Sequence, residues 1–452
     1  MIELEAERIA SEGGAEIVAR GGEGHPERAS VDSREIRAGD LFFGLPGESA
    51  DGGGFASAAL EAGAWGVVVA PEHAGGLEGG WVLTADDPLV ALQRLARTWR
   101  RELGCKAVGI TGSTGKTSVK DICDALLPGR VHASPENFNT EVGLPLAVLE
   151  APVGTDTLVL EMAMRGRGQI AELARIADPD VGAVTNVGPV HLELLGTLEA
   201  VVETKAELLA ALPADGAAVL PADAPELAEA VPAGTRTIRF GPGGEVEAAS
   251  SQVDGGALDC VVRVEGEDAR FRFPFTEAYN LTNALAAIAI GTALGSTPAE
   301  LAERAGGIGF SRLRGELVEL GDGIVVVNDC YNANPISMRA ALDHLVSLDR
   351  DGRLVAVLGD MNELGPGAES FHRQAGARAR ELGVEVLVGV GELAPAYGPD
   401  RHVADAESAA GVVEELLEPG DTVLVKGSRA VGLETVTDRL RAARPPADGD
   451  PR

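Results

Sequence analysis

The sequence predicts an α/β protein of three domains, and two features of the chain lead to this prediction. Its 452 residues exceed what one ordinary hydrophobic core can organise, so two or three domains are expected. Apolar strands alternate with helices in two separate stretches, one beginning at residue 106 and the other near residue 315. Such alternation is typical of mostly parallel sheets that helices cover on both faces.

The first domain is predicted to be a small N-terminal α/β domain spanning residues 1–104. Short strands and glycine-rich turns, as in VDSREIRAGDLFFGLPG, occupy most of it, together with the helix-like FASAALEAGA and the strand WGVVVA. A helix over residues 88–103, with a proline at its start, is predicted to connect this domain to the next one.

The second and third domains are predicted to span residues 105–311 and 312–452. After the strand KAVGIT, the elements expected in the second domain are TLVLEMA (157–163), VGAVTNV (181–187), the helix AVVETKAELLAAL (200–212), short antiparallel strands within 236–275 and the apolar helix AYNLTNALAAIAIGTAL (278–294). The strands expected in the third are IVVVND, RLVAVLGD, VEVLVGV and DTVLVKG. This second alternation predicts a C-terminal Rossmann-like domain, and the tail PPADGDPR is predicted to be disordered.

Composition and charge argue against several classes of partner. The net charge of −32 repels nucleic acid and anionic membranes, and the sequence contains no local basic patch. No run of about 18 apolar residues is present, so no membrane insertion is expected. The acidic N-terminus lacks the pattern of a signal peptide, so we expect a cytoplasmic protein. The four cysteines lack CxxC spacing and are expected to be reduced, buried thiols.

The segment GITGSTGKTSVK, residues 109–120, predicts a strand, a tight turn and a helix in direct succession. Glycines let backbone N–H groups turn inward, the helix N-terminus adds positive dipole, Lys116 adds a charge, and Thr117 can ligate magnesium. We call residues 111–117 the phosphate loop. Its spacing departs from the full GxxxxGK[ST] pattern, and a glycine-rich turn with a surface lysine is the alternative. Because the segment lies between an apolar strand and an amphipathic helix, we predict a central P-loop ATPase-like parallel sheet domain.

Three further segments place polar groups at or just beyond the carboxyl ends of predicted strands, where ligands bind to parallel sheets. Glu161 ends TLVLE, and His191 follows TNVGPV. Asn137 and Asn139 lie in the loop after the phosphate-loop helix. A carboxylate and an imidazole can both ligate magnesium beside a bound phosphate. Each group taken singly also fits a structural role, as a hydrogen-bonding loop histidine or a satisfied buried acid.

Lys205 is unusual because it lies near the apolar side of its predicted helix in a chain with only five lysines. A lysine that keeps its ammonium group in water while its stem is buried is one explanation. The other is a partly desolvated lysine, whose lowered pKa allows the neutral amine to react with carbon dioxide. The resulting carbamate is an anion that could ligate a second magnesium ion.

A series of motifs occurs in order along nearly the whole chain: TGSTGKT, NFNTEVGLP, LVLEMAMRGRGQI, TNVGPVHLELLGTLEAVVETKAEL, YNLTNALAA, LRGELVEL, NDCYNANPISM, LGDMNELG and VLVKGSR. The series resembles the Mur ligases, ATP-dependent amide-forming enzymes of peptidoglycan synthesis. DCYNANP and GDMNELG resemble the members that add D-alanyl-D-alanine. The DNPR-like motif of the members that add the third residue is absent. One departure is Thr140 in NFNT, where the family often has a second adjacent asparagine.

The resemblance implies a role for each matching residue. The catalytic residues it implies are Lys116, Glu161, His191 and Lys205. The ATP-binding residues it implies are Thr111, Gly112, Ser113, Thr114, Gly115, Lys116, Thr117, Asn280, Asn283, Arg314 and Asp329. The substrate-binding residues it implies are Ser33 and Arg34 for the uridine nucleotide, then Asn137, Asn139, Thr140, Asn332, Asn334, Asp360 and Glu363. The metal ligands it implies are Thr117, Glu161, His191 and Lys205, the last as a carbamate, for two magnesium ions.

The resemblance also implies a reaction. ATP would activate the carboxylate of UDP-N-acetylmuramoyl-tripeptide as an acyl phosphate, and the amine of D-alanyl-D-alanine would attack it. Both partners are small molecules, and a monomer is expected. His191 could ligate the metal, or it could orient or deprotonate the amine.

Other functions remain open at this stage. The nearest are another Mur-type ligase that adds a different amino acid and a ligase like the folylpolyglutamate synthetases. A P-loop ATPase or switch whose C-terminal domain binds a protein partner would hydrolyse ATP without an amine. A nonenzymatic nucleotide-binding scaffold would leave Glu161, His191 and Lys205 unexplained.

Overall fold

The protein, described here from a computed structural model, contains three sheets of five, nine and six strands. The described residues are 4–47, 50–135, 138–348 and 351–445. Asn137 and the predicted disordered tail after Pro445 lie outside them. The α/β class with three domains is confirmed, and the domain boundaries given above stay predictions.

The N-terminal sheet is mostly parallel. Its strands are β1 Glu16–Ala19, β2 Arg28–Ser30, β3 Asp40–Phe43, β4 Gly66–Val69 and β5 Trp81–Thr84, in the order β1-β5-β4-β3-β2 with β1 antiparallel to β5. Its helices are α1 Ala6–Gly13, α2 Ala56–Glu61 and α3 Pro88–Leu103. Helix α3 has the predicted bounds: the Asp87 carboxylate accepts the first free N–H groups, and left-handed Gly104 ends the helix.

The central sheet joins a parallel part to an antiparallel part. Its strands are β6 Lys106–Thr111, β7 Val131–Ala133, β8 Thr157–Glu161, β9 Val181–Val184, β10 Ala217–Pro221, β11 Arg236–Phe240, β12 Val246–Asp254, β13 Ala257–Val264 and β14 Glu267–Phe273. The order is β14-β13-β12-β11-β10-β9-β6-β8-β7, and β12, β13 and β14 pair antiparallel. The predicted antiparallel strands are therefore an extension of the central sheet.

Seven helices of the described chain surround the central sheet. They are α4 Lys116–Leu126, α5 Gly143–Glu150, α6 Gln169–Ala177, α7 Leu192–Leu195, α8 Leu198–Ala210, α9 Ala278–Ala293 and α10 Pro298–Arg304. Helix α9 is apolar on almost every face because it packs against both α4 and strands β10 to β12. Its N-terminal turn thereby comes close to the phosphate loop.

The C-terminal sheet is covered on both faces, as predicted. Its strands are β15 Glu316–Glu319, β16 Val325–Asn328, β17 Leu354–Gly359, β18 Val386–Val390, β19 Arg401–Val403 and β20 Thr422–Lys426, in the order β15-β16-β20-β17-β18-β19 with only the β15–β16 pairing antiparallel. Its helices are α11 Pro335–Ser347, α12 Ala368–Glu381, α13 Ala406–Leu416 and α14 Glu434–Ala443. Met338 of α11 belongs to the core on one face, and Val413 and Val436 of α13 and α14 to the core on the other.

Two predictions about exclusions can be compared with the structure. None of the described helices is long and apolar enough to cross a membrane. All four cysteines are free thiols, with Cys123, Cys260 and Cys330 buried and Cys105 half-buried. Burial raises the pKa of the Cys260 thiol to about 11 and that of Cys330 to about 12, so these thiols stay protonated.

Candidate active site

A cleft of about 780 Å³ lies between the central and C-terminal domains. From the central domain, Lys116, Glu161 and His191 line it, at or beyond the carboxyl ends of parallel strands. From the C-terminal domain, Asp329 and Lys426 follow or end strands of the second sheet in the same way. Ligands usually bind to parallel sheets at the carboxyl ends of the strands, and here these ends of the two sheets face one another.

The phosphate loop has room only for glycine at two positions. A Cβ on Gly112 would lie 1.8 Å from Thr185 Oγ1, and one on Gly115 would lie 2.4 Å from Asn283 Oδ1. Gly115 also has a positive φ of 78° as the residue that caps α4. The neighbouring side chains therefore fill the space that a larger residue would need.

A second segment, residues 185–188, holds the phosphate loop in shape. The Thr114 N–H donates to Asn186 Oδ1 at 2.9 Å, and Thr185 Oγ1 donates to the Thr114 carbonyl at 2.5 Å. Ser113 Oγ donates to the Gly188 carbonyl at 3.1 Å. The sequence reasoning missed Asn186, although it lies in the TNVGPV motif just after a strand end.

Glu161 and Thr117 form an oxygen-rich pair beneath the loop. Thr117 Oγ1 donates to Glu161 Oε2 at 2.7 Å, and Asn139 Nδ2 donates to Glu161 Oε1 at 2.9 Å. The pair arises because Glu161 is in register with Ile110 on the adjacent strand, just before the phosphate loop. A hydroxyl and a carboxylate are hard oxygen ligands, so their proximity fits a magnesium ion.

Two lysines of the central domain have pKa values below the usual value for lysine. Lys116 Nζ donates to the Gly112 carbonyl at 3.0 Å, and burial lowers the pKa of Lys116 while the Glu161 charge opposes this effect. Lys205, on α8, has only 1% of its surface exposed. Burial, and after it the charge of Lys116, lowers the pKa of Lys205 well below the usual value for lysine. Lys205 is buried and is not among the residues that line the cleft.

Arg314 connects the C-terminal domain to the phosphate loop. Its Nη2 donates to Thr117 Oγ1 at 2.8 Å, and its guanidinium lies 4.0 Å from the centre of the Tyr331 ring. Asn334, which caps α11, makes a second connection, since its Nδ2 donates to the Ser113 carbonyl at 3.3 Å. The domains therefore meet at the loop itself.

Asp329 and Lys426 form an ion pair at the C-terminal side of the cleft. Lys426 Nζ lies 2.6 Å from Asp329 Oδ2 and also donates to the Asn332 carbonyl at 3.0 Å. Only 1% of the Lys426 side chain is exposed. Lys426 was not among the predicted site residues, although the scarcity of lysine in the chain was a signal that could have found it.

His191 pairs with a residue of the other domain. Its Nδ1 lies 2.5 Å from Glu363 Oε2, and Arg165 Nε lies 3.5 Å from Glu363 Oε1. The hydrogen bond from His191 lowers the pKa of Glu363, and the charge of Arg165 adds to this effect against some burial. Among the described residues, no group of three or more His, Cys, Asp and Glu side chains is arranged to hold a metal ion. The ligand set implied above, which includes Thr117 and a modified lysine, stays a prediction.

The remaining predicted residues that the structure describes lie in three places: on the cleft surface, behind it, and in the N-terminal domain. Asn139, Thr140, Asn283 and Asn332 line the cleft, whereas Asn280 lies behind it and accepts a hydrogen bond from Asn283 Nδ2 at 3.1 Å. Asp360 also lies behind the cleft surface, because its carboxylate accepts the N–H groups of Glu392 at 2.9 Å and Leu393 at 3.0 Å. Ser33 and Arg34 lie in the N-terminal domain, where Arg34 pairs with Asp32 and lowers its pKa to about 2.

Comparison with known protein families finds matches in both the central and the C-terminal domain. Residues 110–291 match the Mur ligase middle domain, and residues 313–429 match the Mur ligase glutamate ligase domain. The chain is 35% identical over 423 residues to the UDP-N-acetylmuramoyl-tripeptide--D-alanyl-D-alanine ligase of Bacillus subtilis (strain 168). That alignment covers 91% of this chain and 92% of the relative.

Solved structures agree with the sequence relatives. A crystal structure of MurF from Acinetobacter baumannii superposes with a TM-score of 0.87 at 26% identity, covering 98% of this chain and all of that one (100%). The MurF ligase from Thermotoga maritima in complex with ADP superposes with a TM-score of 0.81 at 30% identity, covering 92% of this chain and 97% of that one. The chain therefore belongs to the Mur ligase family.

Proposed function

We propose that this chain is an ATP-dependent, ADP-forming ligase that joins D-alanyl-D-alanine to UDP-N-acetylmuramoyl-tripeptide. The observation that carries the proposal is the single cleft in which the phosphate loop faces the C-terminal cluster, with Arg314 bonded to Thr117. The names of the sequence relatives supply the two substrates. The ADP complex of a related structure supports the use of ATP.

The phosphoryl group of ATP goes to a carboxylate in this reaction. An amide does not form directly from a carboxylate and an amine at neutral pH, because hydroxide and oxide are poor leaving groups. Transfer of the γ-phosphoryl group to the tripeptide carboxylate gives an acyl phosphate. The free amine of the dipeptide then attacks the acyl carbon, and the tetrahedral intermediate collapses to the amide and inorganic phosphate.

The residues of the cleft contribute positioning and positive charge to this chemistry. Lys116 and the N-terminus of α4 bind the ATP phosphates, and the buried setting strengthens their attraction. Arg314 brings a guanidinium from the C-terminal domain to Thr117, where negative charge spreads over the transferring group. Asp329 lies at the opposite wall, paired with Lys426, where it can accept a hydrogen bond from the ATP ribose.

Magnesium would supply further charge neutralisation at the phosphates. Thr117 and Glu161, already 2.7 Å apart, would hold one ion. His191 and a carbamate on Lys205 would hold the second, and the low pKa of Lys205 favours the neutral amine from which a carbamate forms. Ser33 and Arg34 would bind the uridine nucleotide, while Asn332, Asn334 and Glu363 would face the dipeptide. We expect a monomer that acts in the cytoplasm, where ATP and nucleotide-linked precursors are made.

The direct test is ADP formation by the purified protein with ATP and magnesium. UDP-N-acetylmuramoyl-tripeptide and D-alanyl-D-alanine are added singly and together, and the mass of the product is measured by mass spectrometry. We expect ADP only with both substrates, together with a UDP-linked pentapeptide. The variant Lys116→Met, which keeps the stem length but removes the charge, should abolish turnover, whereas Lys106→Met on the exposed start of β6 should not.

Two results would overturn the proposal. ADP formation without either substrate would favour an ATPase. Ligation with glutamate or a diamino acid, but not with D-alanyl-D-alanine, would favour a folylpolyglutamate synthetase-like ligase or a Mur-type ligase of different specificity. Running all amines in parallel with one enzyme preparation separates these results.

A further inference from the structure

Glu363 is the residue through which the C-terminal domain contacts His191. It lies in the loop between β17 and α12, whereas His191 directly precedes α7 of the central domain. The 2.5 Å contact between Glu363 Oε2 and His191 Nδ1 and the 3.5 Å contact between Glu363 Oε1 and Arg165 Nε both cross the domain interface. All three side chains line the cleft.

The backbone on each side of this contact is constrained. His191 has a φ of 53° and Glu363 a φ of 63°, and such left-handed conformations are uncommon for residues other than glycine. The Glu193 N–H also approaches the Glu363 carbonyl at 3.4 Å. Gly365 packs so closely that a Cβ there would lie 3.1 Å from the Glu193 Cα. Two strained residues from different domains are thus held against each other by backbone as well as side-chain contacts.

The chemistry of the contact determines which ring nitrogen is free. A carboxylate oxygen at 2.5 Å from Nδ1 accepts a hydrogen bond, so the proton of the neutral imidazole lies on Nδ1. The lone pair is then on Nε2. Carboxylates commonly fix the tautomer of a functional histidine in this way. Here the carboxylate comes from another domain, so it is in place only when the two domains are docked.

We propose that Glu363 is a positioning residue that reaches across the domain interface and fixes the Nδ1–H tautomer of His191, so that the Nε2 lone pair is presented only in the docked enzyme. This inference rests on the proposed function, in which His191 would hold a magnesium ion and would need the Nε2 lone pair to do so. Docking of the C-terminal domain therefore determines whether the Nε2 lone pair of His191 is available in the cleft.

The tautomer can be measured directly by NMR on protein labelled with ¹⁵N-histidine. The chain has seven histidines, and the His191→Gln variant identifies the signal of interest. With a non-hydrolysable ATP analogue and the UDP-tripeptide bound in magnesium-free buffer, so that no metal ion on Nε2 fixes the tautomer, the wild type should show the Nδ1–H form. Glu363→Ala should shift His191 toward the Nε2–H form, and Glu363→Gln should retain Nδ1–H because its amide oxygen still accepts. Glu369→Gln, at an exposed carboxylate of the following helix, is the matched control and should change nothing.

Kinetics provide the second measurement. Glu363→Ala should lower kcat by about 10-fold to 100-fold, as is typical when the partner of a functional histidine is removed. Its KM for ATP should stay within about 3-fold, since Glu363 does not contact the phosphate loop. Glu363→Gln should recover most of kcat. If the alanine variant does not fold, Glu363→Asp serves instead, because it keeps the charge but withdraws the oxygen from Nδ1.

An Nδ1–H form that persists in folded Glu363→Ala, or a kcat equal to that of the wild type, would overturn the inference. The NMR readout needs binding but no turnover. A tautomer that responds as expected in a protein without ligase activity would therefore contradict the proposed reaction and leave the positioning role standing.

Discussion

Lys116, Lys205 and Lys426 lie at the cleft or behind it, and each of these three lysines is in a different electrostatic state. Lys426 is paired with Asp329 at 2.6 Å, and Lys116 donates to a loop carbonyl at 3.0 Å near the charge of Glu161. The pKa of Lys205 is lowered further, because burial disfavours its ammonium form and the positive charge of Lys116 adds to this effect. An isolated buried ammonium is costly, so Lys205 is the lysine most easily converted to an anion.

Carbamylation of Lys205 is the prediction that follows at this scale. Protein equilibrated with ¹³C-bicarbonate at pH 7 should give a carbamate carbonyl signal in the ¹³C NMR spectrum. The signal should be absent in Lys205→Arg, because a guanidinium does not react with carbon dioxide. Lys106→Arg, at an exposed lysine, should retain it. A wild-type spectrum without this signal would contradict the prediction.

At the scale of elements, helices α9 and α11 meet through a buried histidine and carboxylate. His344 of α11 packs edge-on against the Tyr279 ring of α9, and its Nε2 lies 3.6 Å from Glu277 Oε1 just before α9. Although the distance permits an ion pair, burial lowers the pKa of His344 against the opposing effect of the Glu277 and Asp329 charges. We therefore treat His344 as neutral in the folded protein at pH 7.

This predicts a specific pH dependence of stability. Because the folded pKa of His344 lies below its unfolded value of about 6.5, the unfolded state binds more protons between those two values. The free energy of unfolding should thus fall as pH decreases below about 6.5, with no contribution from His344 above about 7.5. Urea unfolding at pH 7.5 and 5.5 measures this, and His344→Phe should reduce the difference. An equal loss in both proteins would assign the pH dependence to other groups.

At the scale of the whole molecule, the central and C-terminal domains fit too closely for added side-chain volume. Gly188 belongs to the segment that supports the phosphate loop, and a Cβ on it would lie 1.9 Å from Ile336 Cδ1. Ile336 belongs to the first turn of α11, which Asn334 caps while it also bonds to Ser113. Docking and loop geometry therefore depend on the same contact.

Gly188→Val should accordingly keep the domains apart. Small-angle scattering with ATP analogue and substrate should give a larger radius of gyration than the wild type, and kcat should fall. The second substitution Ile336→Ala removes the obstructing atoms and should restore both quantities in the double variant. A compact Gly188→Val enzyme, or a double variant as impaired as the single one, would show that this contact does not control docking.

Contacts within one sheet could be predicted from the sequence better than contacts between domains. Glu161 was predicted to lie on the ligand side of the sheet because it ends a parallel strand, and in the structure its Oε2 accepts a hydrogen bond from Thr117 Oγ1 of the phosphate loop. The partner of His191 could not be predicted, since Glu363 is 172 positions away and approaches only through domain docking. Asp360 and Glu363 share one motif, yet Asp360 binds two N–H groups of its own domain while Glu363 faces the cleft. The shared motif therefore could not show that Asp360 has a structural role within its domain while Glu363 lines the cleft.

The central sheet, which joins a parallel part to an antiparallel part, also has a practical consequence. Strands β12 and β13 are joined by a glycine turn at Gly255 and Gly256, where an added Cβ on Gly256 meets no neighbour. This hairpin belongs to the antiparallel end of the sheet, whereas the cleft is built on strands β6, β8 and β9 of the parallel part. A fluorescent reporter inserted at the turn would move with the central domain without entering the cleft. The enzyme thus offers a natural attachment point for single-molecule observation of its own opening and closing.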